Sequence, residues 1–496
     1  MPAGLRLPVA AALLALAGCA GVQAPQQDHL RSTDRELARC ANWFEALDSA
    51  VAQAGVGDIA ARRVAGFPYL RIDRFLEAVK PEAIADARLR RAWIEQLRQR
   101  DADGRRVEIA NLPDRVVAGL GVGDRDAVLL RTRDCADRLA SADLAGDGAL
   151  DSLFANAFVA DDYSSWKRAL GLYELTRLPF HAGVEAWQEG VTQAFETSRR
   201  GELPSGRILR YLPPDLPVYS RAEVRAILAR AADHPLGLPR LSVDEWERLF
   251  ATYAPVFAIE TEGDFDRIGR LSWQGAAAPG VDVTEPVVYR RLDFTRVGER
   301  TLLQLVYLVW LPERPREGRF DLLGGQLDGL VWRVTLAPDG EPVLFDSIHP
   351  CGCYHMFLPT PRLAPVAPPE PGIEWAFVPA RLPAIGEADR LVLEVQTRTH
   401  YLQNVWPGES GEGKVYGFAD YDELRTLPLT GGGSQSAFGA DGLVAGSERG
   451  ERFLFWPMGI ASPGAMRQSG TQATAFVGRR HFDDADLVEK RFRLRD

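Results

Sequence analysis

No stretch after Ala17 approaches the ~20 consecutive apolar residues that a membrane-crossing helix needs, so the remainder of the chain is expected to fold in water. A basic excess is also missing: 58 Lys+Arg stand against 68 Asp+Glu, for a net charge of −10. Nucleic-acid binding depends on a positive surface, so no nucleic-acid partner is expected. No Gly-x-Ser-x-Gly elbow, Walker loop or His-Glu-x-x-His is present, nor a repeat of solenoid or propeller period. Cysteine (5) and histidine (7) are scarce, so any place that concentrates them stands out.

What is present begins with a targeting segment. Arg6 supplies a positive start, and Leu7 to Ala17 is an apolar run of signal-peptide length. It ends in Leu16-Ala17-Gly18-Cys19, which resembles the lipobox of bacterial lipoprotein precursors. The resemblance covers the leader only. It implies cleavage before Cys19, lipid on the Cys19 thiol, and a membrane partner through that anchor. Ala20 and Gly21 follow without an acidic residue, which by the same resemblance implies the outer membrane, facing the periplasm. Residues 1–18 are then the signal peptide and 19–31 the lipidated cysteine and a polar tether.

The rest predicts an α+β fold, a helical domain over 32–252 followed by a β-rich, mostly antiparallel domain over 253–496. Leu37, Cys40, Leu47 and Val51 recur at helical spacing, as do Leu89, Trp93 and Leu97, and Val128, Thr132, Cys135 and Leu139. Ser220 with Glu223 and Ser242 with Glu245 have capping-box spacing. The texture then changes. Leu302 to Leu311 reads as a strand buried on both faces, and Leu330, Trp332, Val334 and Leu336 alternate with their neighbours. Pro338-Asp339-Gly340 makes a turn into Val343–His349, and Leu391–Tyr401 and Arg452–Trp456 are further strands.

Cysteines carry the chemical argument. Cys40 and Cys135 each lie on the apolar stripe of a helix, and export exposes thiols to oxidation, so a Cys40–Cys135 disulfide is expected. The segment His349-Pro-Cys351-Gly-Cys353-Tyr-His355 places four soft or borderline ligands at alternate positions. Thiolate and imidazole together suit zinc or copper. Extended, such a segment would hold its two histidines about 20 Å apart, so one ion requires the chain to fold back around Pro350 and Gly352. His400 is the preferred outside ligand, with His481 behind it. Two further readings stand beside the metal: a strained, reducible disulfide between Cys351 and Cys353, and a thiolate nucleophile activated by histidine. A packed hairpin end is the structural alternative.

Weaker signals surround this segment. Asp143 to Asp151 resembles a calcium loop but lacks oxygen ligands where Ala145 and Phe154 stand. Gly119-Leu-Gly121-Val-Gly123 is a turn. Asp161-Asp162-Tyr163 and Gly66-Phe67-Pro68-Tyr69 read as ordered aromatic loops that brace helix ends. Glu313, Asp321 and Asp328 are candidate ligands or a general base facing the His/Cys segment. The expectation is a lipid-anchored periplasmic protein with a zinc or copper site. Its rivals are a non-enzymatic envelope protein that binds protein or cell-wall polymer, and a thiol-dependent redox or hydrolytic enzyme.

Overall fold

The helical stripes become helices that pack on one another. The computed structural model describes residues 25–144, 147–199, 206–273 and 278–495. In the Arg35–Ala54 helix the Asp34 carboxylate caps the N–H groups of Glu36 and Leu37, and Gly55 ends the helix at φ +68°. Its inner face buries Cys40, Trp43, Phe44, Leu47 and Val51. That face meets the Ala87–Asn111 and Arg125–Asp143 helices in a core containing Trp93, Leu97, Val128 and Leu139. Cys40 and Cys135 form the expected disulfide, with Cα atoms 4.9 Å apart. Pro25–Leu30, expected to be part of the tether, is a helix: Gln26 N–H donates to Gly66 O and His29 bonds Asp143. Cys19 and the leader lie outside the described residues.

Two larger sheets, with several two-stranded ones beside them, dominate the described second half. The larger runs, in spatial order, Met356–Pro359, Pro342–Ile348, Gly325–Leu336, Arg300–Arg314, Val287–Val297 and Gly417–Asp420. All its pairings are antiparallel except the last. The smaller runs Leu402–Gly408, Arg390–Val395, Val256–Glu260, Ile208–Leu212 and Lys414–Val415. It is mixed, with Val392–Val395 parallel to Val256–Ile259. Tyr211, Phe257, Ile259 and Leu393 of this sheet share one core with Leu305, Tyr307, Val309 and Trp332 of the larger. Val191 and Phe195 from the Tyr173–Arg199 helix close that core. The fold is α+β. No described helix is long and apolar enough to cross a membrane.

Three local expectations are corrected. Arg452–Trp456 is not a strand: Arg452–Phe455 is a helical turn continued as a 3-10 turn over Trp456–Met458. Pro457 has no N–H for a ladder and Gly459 stops the turn at φ +86°, so a strand is disfavoured there. Phe67 does not sit in a loop, because Phe67–Ile72 is a fully buried strand paired with Arg62–Val64. The Leu391–Tyr401 strand stops at Val395, and His400 stands in a turn at φ +55°.

Candidate functional site

The chain does fold back at Pro350 and Gly352. Gly352 N–H donates to His349 O (2.8 Å) and His349 N–H to Cys353 O (3.0 Å), which closes the turn. Gly352 has φ +93°, and a Cβ there would sit 2.5 Å from the Ala473 carbonyl oxygen, so only glycine fits. The side chains nonetheless separate into three places. His349 and His400 meet at Asp328, His355 goes to Asp346, and Cys351 and Cys353 line a cleft. His481 lies elsewhere, beside Asp161, Asp162 and Asp484, with its ring 5.3 Å from that of Tyr163. Among the described residues no group of three or more His, Cys, Asp or Glu side chains is placed to hold a metal ion.

The reason is visible in the hydrogen bonds. His349 Nδ1 faces Asp328 Oδ1 (3.1 Å) and its Nε2 faces the His400 carbonyl (3.2 Å). His400 Nδ1 faces Asp328 Oδ2 (2.9 Å) and its Nε2 faces Asp266 Oδ1 (3.2 Å). All four partners are oxygen atoms within hydrogen-bond distance, so each ring donates through at least one nitrogen and has oxygen, not open space, facing both. Asp266 also accepts from Thr397 Oγ1, Arg398 N and Glu262 N, each at 2.8 Å. Burial pulls the His400 pKa down, but the bonds to Asp266 and Asp328 outweigh it and leave it raised. Burial opposes ionisation of Asp328 too, yet both histidines hold its carboxyl well below the usual range. Leu327, Tyr354, Arg398 and His400, four of the six described non-glycine residues with positive φ, flank this cluster. Such backbone costs about 1–3 kcal/mol per residue and persists only where surrounding bonds enforce it.

His355 is held differently. Its Nε2 donates to Asp346 Oδ2 (2.9 Å), and Asp346 is also gripped by Arg333 Nε (2.9 Å) and Nη2 (2.5 Å). Its Nδ1 is buried without a hydrogen-bond partner, and the ring lies 4.1 Å from that of Phe357. Burial, only partly offset by Asp346, pushes its pKa down to about 3. Of the three carboxylates singled out in the sequence, Asp328 meets the segment. Asp321 accepts from Glu317 and Leu323 N–H groups in its own turn, and Glu313 is exposed.

The thiols open onto a cleft of about 450 Å³. Cys353 N–H donates to Cys351 Sγ (3.4 Å), and both cysteines are free. Hydrogen bonding to Cys351 first, then burial, pushes the Cys353 thiol well up. No imidazole nitrogen of the segment hydrogen-bonds either sulfur, so the arrangement holds a neutral thiol rather than an activated thiolate. One wall is the Tyr173–Arg199 helix, which presents Phe180 and Trp187 two turns apart. Trp187 packs 5.3 Å from Tyr354, which packs 4.6 Å from Tyr401; Phe180, Phe455 and Phe476 form a second aromatic group. Arg314 Nη1 reaches the hydroxyls of Tyr354 (3.4 Å) and Tyr401 (3.3 Å) from behind.

Glu451 is the cleft's exceptional polar group. It is 5 % exposed, and its carboxyl makes no hydrogen bond or ion pair with a described residue. Burial pushes its pKa up to about 7, against the pull of Arg449 and Arg314. Gly464 leaves room for it, since a Cβ there would collide with Glu451 Oε1. Neither Glu451 nor the aromatic walls were found in the sequence. Phe180, Val184 and Trp187 do recur at helical spacing, but the residues they face come from 351–355, 451–464 and 473–476, which share no local pattern. No protein-family model matches the chain, and no curated protein and no solved structure shows a significant likeness to it.

Proposed function

We propose that this chain is an envelope lipoprotein, anchored through Cys19, that binds the apolar part of an amphiphilic ligand in the cleft beside Cys351 and Cys353. The observation that carries the reading is the cleft itself. Its volume of about 450 Å³ falls in the range of small-molecule sites, and aromatic and aliphatic side chains supply most of its wall. The polar groups are the Tyr354 and Tyr401 hydroxyls, the two thiols, the carboxyls of Glu374 and Glu451, and the side chains of Gln188, His355 and Thr474. Such a lining rewards apolar surface, at about 25 cal/mol per Å² removed from water, and leaves a few polar points to orient a head group. The reading is a binding function. His349 and His400 bond Asp328, His355 bonds Asp346 through Nε2, and no imidazole nitrogen hydrogen-bonds either sulfur among the described residues.

The test is binding of a neutral fluorescent naphthylamine to the purified chain from Ala20 onward, which contains every described residue. Gly183 lines the cleft, and a Cβ added there meets nothing within 4 Å, so Gly183→Trp introduces a bulky ring at the cleft wall without a clash at its first side-chain atom. Saturable one-to-one binding that Gly183→Trp abolishes is the expected result. Absence of binding, or binding indifferent to that substitution, overturns the reading. Anchoring has its own test: expression of the whole chain with labelled fatty acid should mark the wild type and not Cys19→Ser.

A further inference from the structure

The mouth of the cleft carries apolar side chains that nothing described covers. Trp166, Leu170, Leu172, Leu175 and Leu178, from the Ser165–Leu170 helix and the start of Tyr173–Arg199, are each between 62 and 69 % exposed. Phe453 (74 %), Leu454 (56 %) and Trp456 (37 %) stand out from the adjoining Arg452–Met458 turns. These segments form one surface. Ser164 N–H donates to Gly459 O and Arg168 Nε to Met458 O, both at 2.8 Å, and a Cβ at Gly171 would collide with Pro457. Leu454 belongs both to this rim and to the cleft wall, so the two are continuous.

Single exposed leucines are ordinary, but this is a concentration. At roughly 100 Å² apiece the eight side chains expose on the order of 800 Å², above the ~300–600 Å² of the largest patch on a typical monomer. Leu172 adds an independent sign. It sits at φ +49°, a conformation that costs a leucine about 1–3 kcal/mol, while its side chain remains in water. The charges that stand without an opposite partner on these segments, 164–178 and 452–459, are basic. Lys167 Nζ leans over the Trp166 ring (5.9 Å) and Arg452 over the Phe453 ring (4.9 Å), and neither is ion-paired among the described residues. Arg177 is neutralised by Glu174 at 3.0 Å. The free charge of the rim is therefore positive, on a chain whose net charge is −10.

We propose that this rim docks on an anionic phospholipid bilayer, a membrane contact separate from lipid on Cys19. Tryptophan, leucine and phenylalanine at the tip with basic groups folded back over them is the arrangement that enters a lipid interface. The rings and aliphatic chains sink among the acyl chains, and Lys167 and Arg452 reach the head-group phosphates. A second copy of the chain fits less well, because a two-fold contact through the rim would bring one basic patch against the same basic patch of the partner. Docked in this way, the cleft opens through Leu454 onto the lipid phase.

Co-sedimentation of the chain from Ala20 onward, which has no acyl group, tests the docking. The vesicles are phosphatidylcholine alone, or phosphatidylcholine with one third phosphatidylglycerol. The variant is Leu175→Ser with Leu178→Ser and Phe453→Ser, all solvent-facing, with an unchanged unfolding midpoint as the check on its fold. Wild type should bind the anionic vesicles at least tenfold more tightly than the neutral ones, and the variant should lose at least tenfold on the anionic ones. Failure of the wild type to bind either vesicle, or equal binding by the variant, overturns the docking. So does a dimer in light scattering that the variant abolishes, which would assign the rim to a second copy. Naphthylamine binding stays outside these outcomes, so its loss would strike the cleft reading and not this one.

Discussion

His355 offers the sharpest measurement of how this structure couples to pH. The ring is buried between Phe357 and Phe482, with Nε2 on Asp346 and Nδ1 facing no acceptor. Charging it would add a proton where no group can receive it, close to Arg333 and Arg480. Its pKa is accordingly pushed from 6.5 to about 3, chiefly by burial. A depressed pKa means that the unfolded chain binds the proton first as the pH falls. The stabilisation is thus complete above 6.5 and is lost progressively toward 3. At pH 4, roughly 2.5 pH units into that window, the loss is on the order of 3 kcal/mol at 1.36 kcal/mol per unit. His355→Gln keeps an amide N–H for Asp346 but cannot titrate. Urea unfolding followed by tryptophan fluorescence at pH 7, 5.5 and 4 gives the comparison. Wild type should lose about 3 kcal/mol more than the variant between pH 7 and 4, because all other groups are common to both. Parallel pH curves would refute the argument, and a variant curve steeper than wild type would reverse it.

Three further outcomes follow from the same packing. Replacing both Cys40 and Cys135 by serine releases a cross-link over 95 residues and should cost about 4 kcal/mol of unfolding free energy, read as a lower midpoint that reductant no longer changes. Asp328→Asn leaves two histidine donors competing for one acceptor and should cost about 3 kcal/mol at pH 6. The His400 pKa is raised, so its contribution is whole below 6.5 and fades as pH rises through the folded value; the cost at pH 9 should be smaller. In wild type, naphthylamine affinity should fall as pH rises through about 7, where Glu451 ionises inside the cleft, and Glu451→Gln should make it flat.

Much of the architecture was legible because it is periodic. The stripes through Cys40 and Cys135 could be read as two helix faces, and since both had to turn inward the disulfide could be anticipated. The hairpin through Gly340 was equally readable, because a turn residue between alternating strands is a local signal. The His/Cys segment was legible as an unusual composition and not as a geometry. Its backbone folds back at Gly352, the condition a shared ion would have required, yet the direction of each ring is set by distant carboxylates, Asp328 and Asp346 on neighbouring strands and Asp266 on another segment. His400 seemed a strand residue because an apolar run precedes it, and the turn that claims it depends on Asp266 accepting from Thr397 and Arg398.

The amino-acid order alone determined that this is an α+β chain of acidic balance with one paired set of cysteines. Those properties rest on spacing and composition, which need no partner from elsewhere in the chain. Tertiary structure alone decided that the imidazoles are donors to buried carboxylates, that the free thiols face an aromatic cleft, and that Glu451 stands there without a hydrogen-bond partner. The cleft is made of segments separated by up to about 300 residues, from Pro179 to Phe476, and no local rule brings such segments together. Burial and the direction of a hydrogen bond are properties of that assembly, and they bind the histidines of the segment to buried carboxylates.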